Sequence, residues 1–197
     1  MPLDPQVEYV LGLVAKSPYP EFHTVSPEEA REIFEQTAPA LNIRPENVYR
    51  SEDLWIDGID GDIPIRIYTP HAPAAHEKLP ILVFYHGGGF VIGSLDSYDS
   101  LCRALANRAE CIVISVDYRL APEQKFPAAV NDALGAYQWV ADHAHELDGD
   151  ATRLAIAGDS AGGNITAVTA IRIRDEGEVA PLLQVLIYPV LDATPER

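Results

Sequence analysis

The stretch RLAIAGDSAGGNITAVTAI, residues 153–171, decides the fold. RLAIAG is a short apolar run, which reads as a strand covered on both faces, and ITAVTAI reads as a helix. Between them Gly158, Asp159, Ser160, Ala161 and Gly162 form a G-x-S-x-G pattern, which sets a serine on a tight turn from strand to helix. The glycines are steric requirements. The turn strains the serine backbone, and a side chain at Gly158 or Gly162 would strike the neighbouring strand or helix.

The same strand-then-helix alternation extends in both directions. ILVFY at 81–85, CIVISV at 111–116 and LLQVLIY at 182–188 are apolar on both alternating faces. Amphipathic segments at about 97–108, 127–146 and 161–176 supply the crossovers of a mostly parallel sheet with helices on both sides. Upstream the period changes to two: Ile63, Ile65 and Ile67 alternate with Pro64, Arg66 and Tyr68 behind the turn residues Gly58 to Gly61. That predicts an antiparallel hairpin between Asn47 and Tyr68. Earlier still, Asp4 and Pro5 cap a helix marked by Val7, Val10, Leu11 and Val14. Ser26, Pro27 and Glu29 open a second helix that runs to about Thr37, with Ile33 and Phe34 as its apolar contacts. PHAPAAHEK, residues 70–78, has neither period and reads as an exposed connection in which His71 and His76 are solvated. The expected fold is α/β, with a mostly parallel sheet, an antiparallel N-terminal hairpin and N-terminal helices.

Composition narrows the function. The 197 residues are 47% apolar and 22% charged, the balance of an ordinary globular domain. A formal charge of -16, from 14 Lys and Arg against 30 Asp and Glu, repels phosphate backbones and anionic lipids, so nucleic acid is a poor partner. The longest apolar run, Pro80 to Tyr85, falls far short of the roughly 20 residues of a membrane span. The first residues, MPLDPQVEYV, carry Asp4 and Glu8 and no basic region leading into an apolar stretch, so the expectation is a cytoplasmic protein. Cys102 and Cys111 stand in no metal-binding or CxxC spacing and read as buried and reduced.

A second chemical pattern follows the strand at 81–85. His86, Gly87, Gly88, Gly89 and Phe90 place three consecutive glycines where backbone N–H groups can approach a ligand, which is an oxyanion-hole sequence upstream of the serine. The competing reading, a phosphate-binding turn, lacks a GxGxxG opening a helix, since FVIGSLD follows Gly89. No dinucleotide site is indicated.

With HGGGF at 86–90 and GDSAGGN at 158–164, the chain resembles the hormone-sensitive lipase family of esterases and lipases, in its bacterial carboxylesterase branch. DYRLAPE at 117–123, FPAAVND at 126–132 and YPVLD at 188–192 extend the resemblance over nearly the whole sequence. It implies the α/β-hydrolase fold, that Ser160 is the nucleophile, that Gly88, Gly89 and Ala161 donate N–H groups to an oxyanion, and that the opening helices form a cap. It also implies small and medium acyl esters as substrates. His86 and Gly87, with Gly158, Asp159 and Gly162, support the motifs, and His86 positions its loop rather than transferring protons. Asp117, Arg119 and Glu123 are structural, the last two tying a loop by ion pairing. No cofactor or metal is implied, because the chemistry needs only protein groups and water.

A serine triad on this fold runs Ser, then Asp or Glu, then His. No histidine follows Ser160, the last being His145. Among the later acids, Asp175, Glu176, Glu178, Asp192 and Glu196, only Asp192 follows a strand, and in the family YPVLD lies one strand too early for the acid. The expectation is therefore an N-terminal portion of a longer enzyme, with residues 1–45 as cap helices and residues 46–197 as an incomplete hydrolase domain ending at Pro195 to Arg197. Such a portion alone is expected to be inactive. The leading reading is a serine carboxylic ester hydrolase. The alternative is a non-catalytic ligand-binding module of the same fold, as in the plant gibberellin receptor, with oligomeric state left open.

Overall fold

The computed structural model describes residues 2–194, so Pro195, Glu196 and Arg197, the expected end of the hydrolase domain, lie outside the described residues. Six strands form one sheet in the order β1-β2-β4-β3-β5-β6. They are β1 (Arg50–Gly58), β2 (Gly61–Thr69), β3 (Leu79–Tyr85), β4 (Ile112–Val116), β5 (Gly149–Asp159) and β6 (Leu183–Ile187). β1 and β2 make the expected antiparallel hairpin, with Gly58 opposite Gly61. Gly61 takes φ 132°, a conformation open to glycine and closed to most side chains. β2 runs antiparallel to β4, and the β4–β3, β3–β5 and β5–β6 pairs are parallel.

The double-sided apolar runs account for the layers. In β3, Ile81, Val83 and Tyr85 pack on one face with Leu134 and Val140 of α4 (Ala128–His143) and Ile165 and Ile173 of α5 (Ala161–Glu176). Phe84 points to the other face, joining Tyr68, Val113 and Ala157 against Cys102 and Ala106 of α3 (Asp99–Ala109). Both cysteines are free and buried, as expected. A large-to-small change at a fully buried position such as Leu134 would cost about 2–5 kcal/mol.

The N-terminal helices depart from the sequence reading in two ways. α1 (Pro5–Val14) is capped by Asp4, whose carboxylate accepts the Gln6 N–H, yet none of its residues is buried among the described residues. α2 (Pro27–Leu41) is capped by Ser26 but runs four residues past Thr37. Pro39 falls in its last turn, and buried Ala38 holds that turn against the protein.

Candidate active site

The C-terminal ends of β3 and β5 meet at Tyr85 and Gly158, which pair directly. Beyond them each strand turns sharply, and the two turns touch. At Gly162 an added Cβ would lie 1.9 Å from the Tyr85 carbonyl oxygen, and at Gly158 2.3 Å from that of Gly162. Only hydrogen fits at either position, as the sequence required.

Ser160 takes φ 51° and ψ -114°, outside the regions a side-chain-bearing residue favours. Such a conformation costs of the order of 1–3 kcal/mol and needs surrounding bonds to hold it. Those bonds are present. Ser160 N–H donates to Ile187 O at 2.9 Å, and its carbonyl accepts from Asn164 N at 3.1 Å and Val190 N at 3.3 Å. Asn164 Nδ2 also donates to Val190 O at 2.7 Å. The serine thus sits at the N-terminus of α5, where the helix dipole favours negative charge.

The glycine loop is clasped to the elbow through Asp159. Its Oδ1 accepts the Gly87 N–H at 2.9 Å, and its Oδ2 accepts the Tyr98 hydroxyl at 2.9 Å. Burial pushes the Asp159 carboxyl up from its ordinary value, while these two donors act in the opposite sense. Gly88 has φ 115° and Gly89 φ 61°. The Gly88 carbonyl accepts from Val91 N and Ile92 N, both at 3.0 Å, which closes a tight turn. The N–H groups of Gly88, Gly89 and Ala161 donate to no acceptor among the described residues.

His86 is fully buried, stacked on Tyr118 at 4.3 Å, with Nδ1 at 2.7 Å from Gly87 O. Burial lowers its pKa to about 4, so it is neutral at physiological pH. Tyr118 donates its hydroxyl to His86 O at 2.7 Å. Arg119 donates to Asp132 through its backbone N, Nε and Nη2, and Glu123 pairs with Arg31 of α2, so these two residues of DYRLAPE form ion pairs, each with a different partner. Asp192 accepts from Thr194 on the surface.

Two cavities meet at Gly89. A cleft of about 460 Å³ holds Ser160 and Gly88 on one wall, with Phe22, His23, Val25 and Ala30 of the N-terminal segment opposite. The other cavity, of about 350 Å³, is lined by Phe90, Phe126, Val130, Asn164 and Val168. Three residues of this arrangement escaped the sequence reading: Tyr98, Arg31 and His23. Tyr98 and Arg31 act across 61 and 92 positions, and His23 lies in no periodic pattern.

The match to known proteins follows this geometry. The family model described as alpha/beta hydrolase fold matches residues 82–197, which include both turns. The chain belongs to the α/β-hydrolase family. The carboxylesterase NlhH of Mycobacterium tuberculosis is 46% identical over 162 residues, covering 82% of this chain and 50% of its own length. The ethyl acetate hydrolase of Pseudomonas putida is 41% identical over 177 residues, covering 89% of this chain and 56% of its own. The hyperthermophilic esterase of the archaeon Pyrobaculum calidifontis superposes with a TM-score of 0.91 at 46% identity, over 99% of this chain and 61% of that one. The chain therefore spans about half the length of the curated relatives it matches. These relatives accord with the resemblance to the carboxylesterase branch of the hormone-sensitive lipase family carried by HGGGF and GDSAGGN. Among the described residues no helix is long and apolar enough to cross a membrane.

Proposed function

We propose that this chain carries the nucleophile half of a serine carboxylic ester hydrolase. The observation that carries the proposal is the strained Ser160, held at the start of α5 in one cleft with the uncommitted N–H groups of the glycine loop. Ser160 Oγ attacks the ester carbonyl carbon and its proton passes to a general base. The carbonyl oxygen becomes an oxyanion that accepts from Gly88, Gly89 and Ala161. The alcohol leaves with a proton, and water then releases the acid from the acyl-serine. No cofactor enters these steps.

His86 does not fit the base, because it is buried and holds a proton only below about pH 4. The base and its orienting acid are proposed to come from polypeptide that the longer relatives possess and these 197 residues do not include. Residues 1–45 are proposed as a cap over the cleft. Short to medium acyl esters suit the 350 Å³ cavity, which lies near the lower end of the roughly 300–1,000 Å³ of small-molecule sites. The Pseudomonas relative, named an ethyl acetate hydrolase, supports the same class.

The test is turnover of p-nitrophenyl butyrate by the full-length protein and its Ser160→Ala variant. Loss of kcat to the residual level left by binding and oxyanion stabilisation is expected. A folded Ser160→Ala protein that keeps its kcat would overturn the proposal.

A further inference from the structure

The Ser160 cleft is unevenly polar. Its wall opposite the serine is built from Phe22, Val25, Pro27 and Ala30, with Val91 and Ile92 on the loop side, and all are apolar. Among the cleft-lining side chains only His23 joins Ser160 in having a hydrogen-bonding group. Of the chain's histidines, it alone lines this cleft.

His23 is held in place from both sides. It sits in the 3-10 turn Phe22–Thr24, whose Thr24 bonds back to Glu21 O through N at 2.9 Å and Oγ1 at 2.7 Å. Phe22 meets Phe34 of α2 edge to face, with ring centroids 6.3 Å apart. α2 in turn is fastened by Arg31, which donates to Val91 O at 2.8 Å, Ala121 O at 2.9 Å and both oxygens of Glu123. The Val91 contact lies in the glycine-loop turn itself, so the wall bearing His23 is registered against the oxyanion donors.

Glu21 Oε2 stands 3.4 Å from Nδ1 of the His23 ring. The side chain is 76% exposed, so the ring is open to a ligand in the cleft. A hydroxyl complements a ring nitrogen whether that nitrogen donates or accepts, because it can do either itself, and an ester can carry one without charge.

We infer that His23 is a specificity-determining residue that hydrogen-bonds a hydroxyl on the substrate arm lying against the N-terminal wall. The preferred substrates are hydroxylated esters. This rests on the ester-hydrolase reading, with Ser160 and the glycine loop fixing the carbonyl and His23 reading the arm.

The experiment uses the full-length enzyme with two matched pairs: ethyl butyrate against 2-hydroxyethyl butyrate, and ethyl butyrate against ethyl 3-hydroxybutyrate. The first pair puts the hydroxyl on the alcohol arm and the second on the acyl arm. One neutral hydrogen bond predicts a preference of about three- to tenfold in kcat/KM for the hydroxylated member of one pair. His23→Phe should bring that ratio to about one, chiefly through KM, and His23→Gln, which keeps both a donor and an acceptor, should restore part of it. The readout is a ratio, so a uniform change on both esters does not enter it. A ratio unchanged by His23→Phe in both pairs overturns the inference. So does a His23→Phe enzyme whose Ser160 no longer reacts with an organophosphonate, since His23 would then serve proton transfer. If Ser160 of the unsubstituted enzyme fails to react, the hydrolase reading itself falls, an outcome distinct from an unchanged ratio.

Discussion

Alanine at Gly88 and alanine at Gly89 should differ sharply in effect, although the two glycines are adjacent in one motif. At Gly88 a Cβ would lie 2.1 Å from the Ile92 carbonyl oxygen, at a backbone φ of 115°. The obstacle is backbone, so the turn closed by the Gly88 carbonyl must open and carry the neighbouring N–H groups with it. Displacing a donor by about 1 Å costs roughly a hundredfold, and losing it costs a hundred- to a thousandfold in kcat. At Gly89 the added Cβ meets nothing within 4 Å, and φ is 61°, a left-handed conformation that side-chain-bearing residues enter at about 1–2 kcal/mol. Gly89→Ala keeps its N–H in place, so kcat should fall less than about tenfold while stability drops modestly. The assay is kcat and KM on p-nitrophenyl butyrate for both full-length variants, with folding checked by circular dichroism. Equal losses, or a larger loss at Gly89, would refute the reasoning, because the geometry assigns the steric conflict to Gly88 alone.

Asp159→Asn should cost about 1 kcal/mol or less, since its oxygen can still accept the Gly87 N–H while its amide donates to the Tyr98 oxygen. Asp159→Leu strands the Tyr98 hydroxyl proton and leaves the Gly87 N–H only its 3.1 Å bond to the Tyr98 oxygen, so it should cost about 1–3 kcal/mol, read by thermal unfolding. Burial, reinforced by Asp96 and Glu35, pushes the Asp117 carboxyl up to about 6. The folded state therefore holds that proton more tightly than the unfolded chain, and stability falls as pH rises from about 4 to about 6, by at most about 3 kcal/mol. Asp117→Asn should accordingly melt higher than the parent at pH 7.5 and equally at pH 4, and a less stable variant at pH 7.5 would refute this. Arg31→Met removes the links from α2 to Val91, Ala121 and Glu123, so it should lower stability by about 1–3 kcal/mol and raise KM, seen in melting and steady-state kinetics.

Locally encoded features were legible in the sequence. The 2-residue period of Ile63, Ile65 and Ile67 gave the hairpin, and the double-sided apolar runs gave a sheet with helices on both faces, because each pattern reports burial within a few residues of itself. The glycines around Ser160 were readable because their steric need is local: Gly158 meets Gly162 four residues away. Contacts closing over long separations left no such trace. Tyr98 reaches Asp159 across 61 positions, and Arg31 reaches Glu123 across 92, between residues whose types are ordinary for surface helices and loops. His23 stands in a short turn without periodicity, beside Phe22, which packs on Phe34 of α2.

The central claim is that Ser160 is an activated nucleophile, and reaction with a fluorophosphonate followed by peptide mass spectrometry tests it most directly. The full-length protein should take up one equivalent, the adduct should map to the peptide bearing Ser160, and Ser160→Ala should take up none. Stoichiometric labelling at another residue, or undiminished labelling of a folded Ser160→Ala protein, would contradict it.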